Sequence, residues 1–361
     1  MRKTLWLLLV PAVLLIGGYF YLHNTLWAAI KKEEGGKPAL QDTLGGKQTS
    51  TADLRPLLIK RVQQLVEKSS NRLYQVTIAN LDIDVLASSL ALQGVRLTPN
   101  AAILDSLKAL HQLPDDVVSI SFDSLRIDGI NLDDALTSKT MDYRQITLLK
   151  PVISIHHQKG AVKKDETEAE PFSKRFLKEM ERLAIKNLAV ADGTVRLYND
   201  VKKGPPTVLK HLSVQLQNVL LDSATRTNSK NFLFAEKATI SFRDFNQPTP
   251  DGLYNFKIGS ATITAPENNV RLTGVSFTSP FSRAQFSSRQ KKSKELYRLT
   301  LPAVTVTDVN WGALLNQEEL VAREIKTTGG AVSVYLDRTL PPRNRMGNFP
   351  SQVLMKLPMP L

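Results

Sequence analysis

His156 and His157 close the stretch "RQITLLKPVISIHH", residues 144–157. Imidazole is the commonest metal ligand and a frequent general base, so the pair raises the question of a metal or catalytic centre. Successive strand residues point to opposite faces, however, and two such neighbours do not easily chelate one ion. The other candidates for acid–base chemistry are the carboxylate pairs Asp115–Asp116 and Asp133–Asp134. Both sit at turns or helix starts, where aspartate caps free backbone N–H groups. "LGGKQTS" briefly looks like a phosphate loop, but it lacks the G-x-x-x-x-G-K-[ST] spacing and follows no strand. No Ser/His/Asp arrangement or H-E-x-x-H motif supports an enzyme. The chain has no cysteine, which excludes thiolate catalysis, disulfides, cysteine-ligated zinc and an acylated lipoprotein cysteine. The residues predict a protein that is not an enzyme, with no cofactor and no metal.

The elements around these residues are mostly strands. "TADLRPLLIKRVQQLVEKSSNR" places Leu54, Leu57, Leu58, Val62, Leu65 and Val66 on one helical face. Beyond it the apolar period changes to two. The alternation predicts strands near 73–85, 89–97, 117–131, 143–149, 151–157, 185–191, 193–199, 207–221, 231–243, 253–264, 268–277, 283–288, 296–308, 319–327 and 330–337. Short helices are expected near 101–112 and 171–183, the second with Phe172, Phe176, Leu177, Met180 and Leu183 on one face. "QKGAVKKDETEAE" reads as a charged loop.

The histidines then fall inside a repeat. Shifted by 179 residues, "FDSLRIDGINLDDALTSKTMDYRQITLLKPVISIHH" lies without a gap on "LPAVTVTDVNWGALLNQEELVAREIKTTGGAVSVYL". Leu125 and Ile127 fall on Val304 and Val306, and Ile153 and Ile155 on Val332 and Val334. A shorter third copy, "LAVADGTVRLYN", aligns Leu188 with Ile146 and Ile325, and Gly193 with Pro151 and Gly330. It also aligns Val195 and Leu197 with Ile153 and Ile155. His156 falls on Tyr198 and Tyr335, an exchange that a metal-binding or catalytic histidine would not tolerate. The unit is strand, connection, strand, Pro/Gly turn, strand. One face is apolar, and the other carries Ser154, His156, Arg196, Tyr198, Ser333 and Tyr335. That is the pattern of a sheet wetted on one side only.

The N-terminus predicts a membrane anchor over residues 1–30. Arg2 and Lys3 precede an uncharged run from Thr4 to Leu22, about 28 Å of helix and thus one hydrocarbon thickness. Trp6, Leu7, Leu8, Leu14 and Leu15 lie along it, and Tyr19 and Tyr21 sit at the outer belt. A cleaved signal peptide is the alternative, but no small-x-small cleavage site follows. Residues 31–51 read as a flexible tether. The net charge of +13 favours an anionic partner. The basic residues are dispersed and no nucleic-acid motif accompanies them, so a membrane surface is expected rather than nucleic acid.

The anchor, the amphipathic helix, "LALQGVRLTPN" and the two long repeat copies together resemble the AsmA-like proteins of Gram-negative envelopes. The resemblance covers most of the chain and rests on apolar patterns rather than invariant chemical groups. It implies a single-pass inner-membrane protein with its bulk, residues 52–361, in the periplasm. It also implies a β-rich groove related to bridge-like lipid transport proteins, and phospholipid transport or outer-membrane homeostasis as the role. No catalytic residues come with it. The fold expected is mainly β: a transmembrane helix, then a curved, repeat-built antiparallel sheet with a few short amphipathic helices. The groove would be lined by Leu125, Ile127, Ile153, Ile155, Val195, Leu197, Val304, Val306, Val332 and Val334. The alternative is an anchored β-sandwich scaffold that binds another envelope protein without lipid. Family members are often longer. The chain stops on "QVLMKLPMPL", in what would be another strand, which leaves open whether it is the N-terminal part of a longer groove. Oligomeric state is not legible.

Overall fold

The computed structural model describes residues 55–342 except 85, 115, 130–139, 159–180, 201–203, 223–224, 226–231 and 317–318. The expected anchor with Trp6, Leu7, Leu8, Leu14, Leu15, Tyr19 and Tyr21, the tether, Asp115 and Asp133–Asp134 lie outside these residues. So do Leu54 and most of the helix expected at 171–183. Among the described residues no helix is long and apolar enough to cross a membrane.

The described residues begin with helix α1 (Arg55–Ser69) and strands β1 (Tyr74–Thr77), β2 (Asn80–Asp84) and β3 (Ser89–Pro99). Helix α2 (Ala101–Ala109) follows, capped by Asn100, whose side-chain oxygen accepts from the N–H groups of Ala102 and Ile103. Then come β4 (Asp116–Asp128), β5 (Thr140–Leu149), β6 (Val152–His157), β7 (Arg182–Asn199) and β8 (Thr207–Asp222). The next four strands are β9 (Ala235–Pro248), β10 (Asn255–Ala265), β11 (Asn269–Thr278) and, after helix α3 (Arg283–Ser288), β12 (Glu295–Thr307). Helix α4 (Trp311–Asn316), β13 (Glu324–Thr328) and β14 (Ala331–Leu336) are the last described elements. All fourteen strands belong to one sheet.

The sheet is mixed rather than antiparallel. β7 runs parallel to both β5 and β6, and every other pairing is antiparallel. A parallel return needs a crossover of a dozen or more residues, and the chain between His157 and Arg182 supplies it. Leu183, expected on a helix, is buried in β7 instead. The segment 283–288 is helix rather than strand. Ser282 accepts from the Gln285 N–H, and Gln285 accepts in return from the Ser282 N–H, a capping box that overrides the short apolar alternation. The strand expected at 319–327 is confined to β13.

The internal repeat is present as pairing register. The five β4–β5 pairs, Ser124↔Leu149 to Asp128↔Gln145, become the five β12–β13 pairs, Ala303↔Thr328 to Thr307↔Glu324, when 179 is added to each number. The six β4–β6 pairs, Asp116↔His157 to Ser121↔Val152, become the β12–β14 pairs Glu295↔Leu336 to Thr300↔Ala331 in the same way. The third copy is the strand next door. Ile146, Ile153 and His156 pair with Leu188, Val195 and Tyr198.

Pro151, Gly193 and Gly330 lie on a seam that crosses the sheet. There the inward pattern skips one position in successive strands: Phe122 to Leu125, Leu148 to Pro151, Val190 to Gly193, Ile258 to Ala261. The skipped positions include left-handed backbone at Gly94, Lys150, Asp192, His211, Asp244 and Gly274. β4 keeps one register with β5 before the seam and with β6 beyond it, because both partners skip together. Extra residues of this kind bend strands and increase their twist.

Candidate apolar binding face

One row of side chains runs across the sheet from residue to paired residue. It reads Leu81, Leu92, Leu125, Leu148, Val190, Val214, Ile240, Ile263, Val270, Val306, Ile325. Every member is aliphatic, through eleven strands, because each strand's period-two pattern is held in phase with its neighbours by the register. A second row, Ile83, Leu90, Ile127, Ile146, Leu188, Leu216, Ala238, Ala265, runs beside it and tapers to alanine.

Two aromatic clusters accompany the face. At one, the Phe232 and Trp311 rings lie 4.6 Å apart, and Trp311 Nε1–H donates to Asn268 Oδ1 at 2.8 Å. At the other, Tyr254 stacks on Phe277 at 4.6 Å and packs on Phe286, which α3 delivers fully buried. Tyr254 donates its hydroxyl proton to the Glu295 carbonyl at 2.7 Å, and burial pushes its phenol up. Burial likewise raises the Tyr74 phenol, whose oxygen accepts from the Val118 N–H. Both tyrosines act as neutral hydrogen-bonding residues within apolar surroundings. Sequence reasoning missed both clusters. The S-x-x-Q box before Phe286 was the readable signal for the second.

The ten expected lining residues separate into two groups. Leu125, Ile127, Ile153, Ile155, Val195 and Val306 are buried together in one cluster that extends from Val76 to Trp311, with Leu197 half-buried against it. Val304 is buried as well. Val332 and Val334 pair with Leu299 and Tyr297 but are 71% and 57% exposed. Tyr297, the pairing partner of Val334, and Leu336 on the same strand are exposed apolar side chains as well, as are Leu320, Val321 and Ile325 toward the other end of β12. The face is covered by its own side chains in its first half and open at β13–β14. Basic residues lie at and after α3, with Arg283 against the face of β14 opposite Val332 and Val334. Arg283 lies over the Tyr335 ring at 4.9 Å, Arg289 lies over Phe281 at 4.0 Å, and Lys291 and Lys292 are exposed.

The histidines take part in cross-strand pairing. His156 stacks on Tyr198 with 4.2 Å between centroids and 4° between planes. His157 Nδ1 lies 2.9 Å from Asp116 Oδ1. Among the described residues no group of three or more His, Cys, Asp or Glu side chains could hold a metal ion. Asp128 and Ser287 are buried polar side chains among the described residues, and Asp128 accepts from Arg126 Nε–H at 2.9 Å. Geometry of this kind can hold hydrocarbon or another sheet. No protein-family model matches the chain, and no curated protein is similar to it at a significant level.

Proposed function

We propose that the chain is an AsmA-like protein, anchored in the inner membrane by Thr4–Leu22, whose curved β-groove takes up acyl chains of phospholipid and assists lipid transport or envelope homeostasis. The observation that carries this reading is the uninterrupted aliphatic row across eleven strands, ending in an opening at Ile325, Val332 and Val334. Helical cover is scarce among the described residues: α1 sets Val62 and Val66 against the core cluster, α2 buries none of its side chains, and α3 and α4 have six residues each. A sixteen-carbon acyl chain gains about 0.8 kcal/mol per buried methylene, about 12 kcal/mol before entropy costs. The net charge of +13 suits an anionic headgroup.

The competing reading is a scaffold that binds another envelope protein. It is favoured by the first half of the face, which needs no guest: Ile153 and Ile155 are each 3% exposed. Photo-crosslinking in cells separates the two. Probes at positions 325 and 334, on the exposed part of the face, should form lipid adducts, and probes at 154 and 333, on the polar face, should not. Equal labelling of both faces, or none in folded protein, favours the scaffold.

A further inference from the structure

The seam that crosses the sheet carries charge on its polar side. The strands that cross it expose Asp123 in β4, Lys150 between β5 and β6, Asp192 in β7, Lys210 and His211 in β8, and Arg243 and Asp244 in β9. Lys150, Asp192, His211 and Asp244 have left-handed backbone, with φ of 47, 56, 51 and 57. Lys150 Nζ lies 3.3 Å from Asp123 Oδ2. The His211 ring stands between carboxylates of both neighbouring strands. Its Nδ1 is 2.8 Å from Asp192 Oδ1, and its Nε2 is 3.9 Å from Asp244 Oδ2. Lys210 and Arg243 are register partners across β8–β9, and neither is ion-paired with Asp192 or Asp244. Beyond Asp244 the seam continues through Gly259 and Ser260 of β10, which carry no charge.

A neutral imidazole has a single N–H. With that proton on Nδ1 the ring donates to Asp192, and the Nε2 lone pair faces the Asp244 carboxylate. A second proton makes Nε2 a donor too, and charge then alternates through Asp123, Lys150, Asp192, His211 and Asp244. We propose that protonation of His211 clamps β8 to β9 at the seam, so that the bend of the sheet responds to pH. The Asp192 contact serves both forms of the ring. A separation of 3.9 Å exceeds hydrogen-bond reach, so closure onto Asp244 is the step that the added proton drives. Lys210 and Arg243 oppose the added charge, but the two carboxylates are what the ring nitrogens face. The clamp is present at low pH and is lost as the ring gives up its proton. Extra residues at the seam set the bend and twist of the strands, so the curvature of the apolar face is the property affected. The inference stands apart from the lipid reading, since every contact lies within the chain.

Amide exchange of the detergent-solubilised full chain tests this. Rates around Lys210–Ser213 and Ser241–Phe245 are compared at about pH 8 and about pH 5, the range across which imidazole changes charge, after correction for the intrinsic pH dependence of exchange. Protection in these segments should rise about threefold at the lower pH, a small effect because the three side chains are exposed. Asp244→Asn keeps the shape of the side chain and tolerates left-handed backbone. It should abolish the rise and leave protection at the higher pH unchanged. His211→Asn should abolish the rise as well. The double variant His156→Tyr, His157→Asn, altered at the end of β6, should keep it. No rise in the native chain, or a rise that survives in Asp244→Asn or His211→Asn, overturns the proposal. A rise lost in the β6 double variant assigns the response to that pair and overturns it too.

Discussion

The units β4–β6 and β12–β14 fold alike and end differently. Their strands pair residue for residue, yet the first buries Ile153 and Ile155 and the second leaves Val332 and Val334 in contact with solvent. The local sequences do not account for this, because both alternate aliphatic with polar residues. The difference is the neighbour. β7 packs along the first unit and nothing described packs along the second. Burial of a strand is therefore a property of the next strand in the sheet, and an edge is where a repeat array stops covering itself.

A charge placed at equivalent sites should expose that difference most strongly. Ile155→Asp puts an unpaired carboxylate into the buried cluster and should cost about 3–5 kcal/mol or unfold the sheet. Val334→Asp, at the equivalent exposed position, should change stability by about 0.5 kcal/mol or less. Urea titration of the detergent-solubilised chain measures both. Equal costs would mean that the second unit is covered in solution.

The bend positions give a smaller contrast. Gly330 has φ 144, and an added Cβ would lie 2.8 Å from Leu301 Cδ2 and 3.2 Å from the Thr300 carbonyl. Gly330→Ala should cost about 1–3 kcal/mol, and hydrogen exchange should speed up in β14 before β6. Gly252 also has a positive φ, 66, but nothing lies within 4 Å of its added Cβ. Gly252→Ala should cost only about 1 kcal/mol. If the two glycines cost the same, the seam is looser at β14 than its contacts imply.

Replacing His156 and His157 with Tyr and Asn, the residues at positions 198 and 199, should leave stability within about 1 kcal/mol. A tyrosine at 156 keeps a ring over Tyr198, and the Asp116 partner of His157 is at the strand end. Loss of a bound transition metal in that variant would return the pair to the status of a ligand site.

Much of this was legible because register is written in alternation. Aligning Ile146 with Leu188 and His156 with Tyr198 identified residues that stand side by side. The direction of β7 was not legible. Parallel and antiparallel neighbours present the same alternation, and only the long return from His157 decides between them. The helix α3 was misread because RAQFSS is too short for its period to be distinguished from a strand's, and the cap at Ser282 decides. The open edge was illegible for a different reason. Val332 and Val334 carry the same pattern as Ile153 and Ile155, and exposure depends on what lies alongside.

The smallest expected effect is acid sensitivity confined to the open half. The loop Thr249–Tyr254 holds Tyr254 against Phe277 and Phe286. Asp251 organises it. Burial alone would raise its pKa, but hydrogen bonds from Thr249 Oγ1–H and Leu253 N–H, together with Lys294, overcome this and hold the carboxyl below the usual carboxylate range. A carboxylate whose folded pKa is depressed contributes stability that is present above its unfolded pKa, about 3.9. That contribution is lost as pH falls through the lower folded value. The side chain is 49% exposed, so screening keeps the effect below about 1 kcal/mol. The Tyr254 N–H, which donates to Thr249 Oγ1 at 3.0 Å, reports it. Its exchange protection should decline below about pH 4 in the native chain, while the Val195 amide in the covered half stays protected. Asp251→Asn should lower protection at neutral pH and remove the decline. A decline that persists in that variant would place the acid-sensitive group elsewhere in the open half.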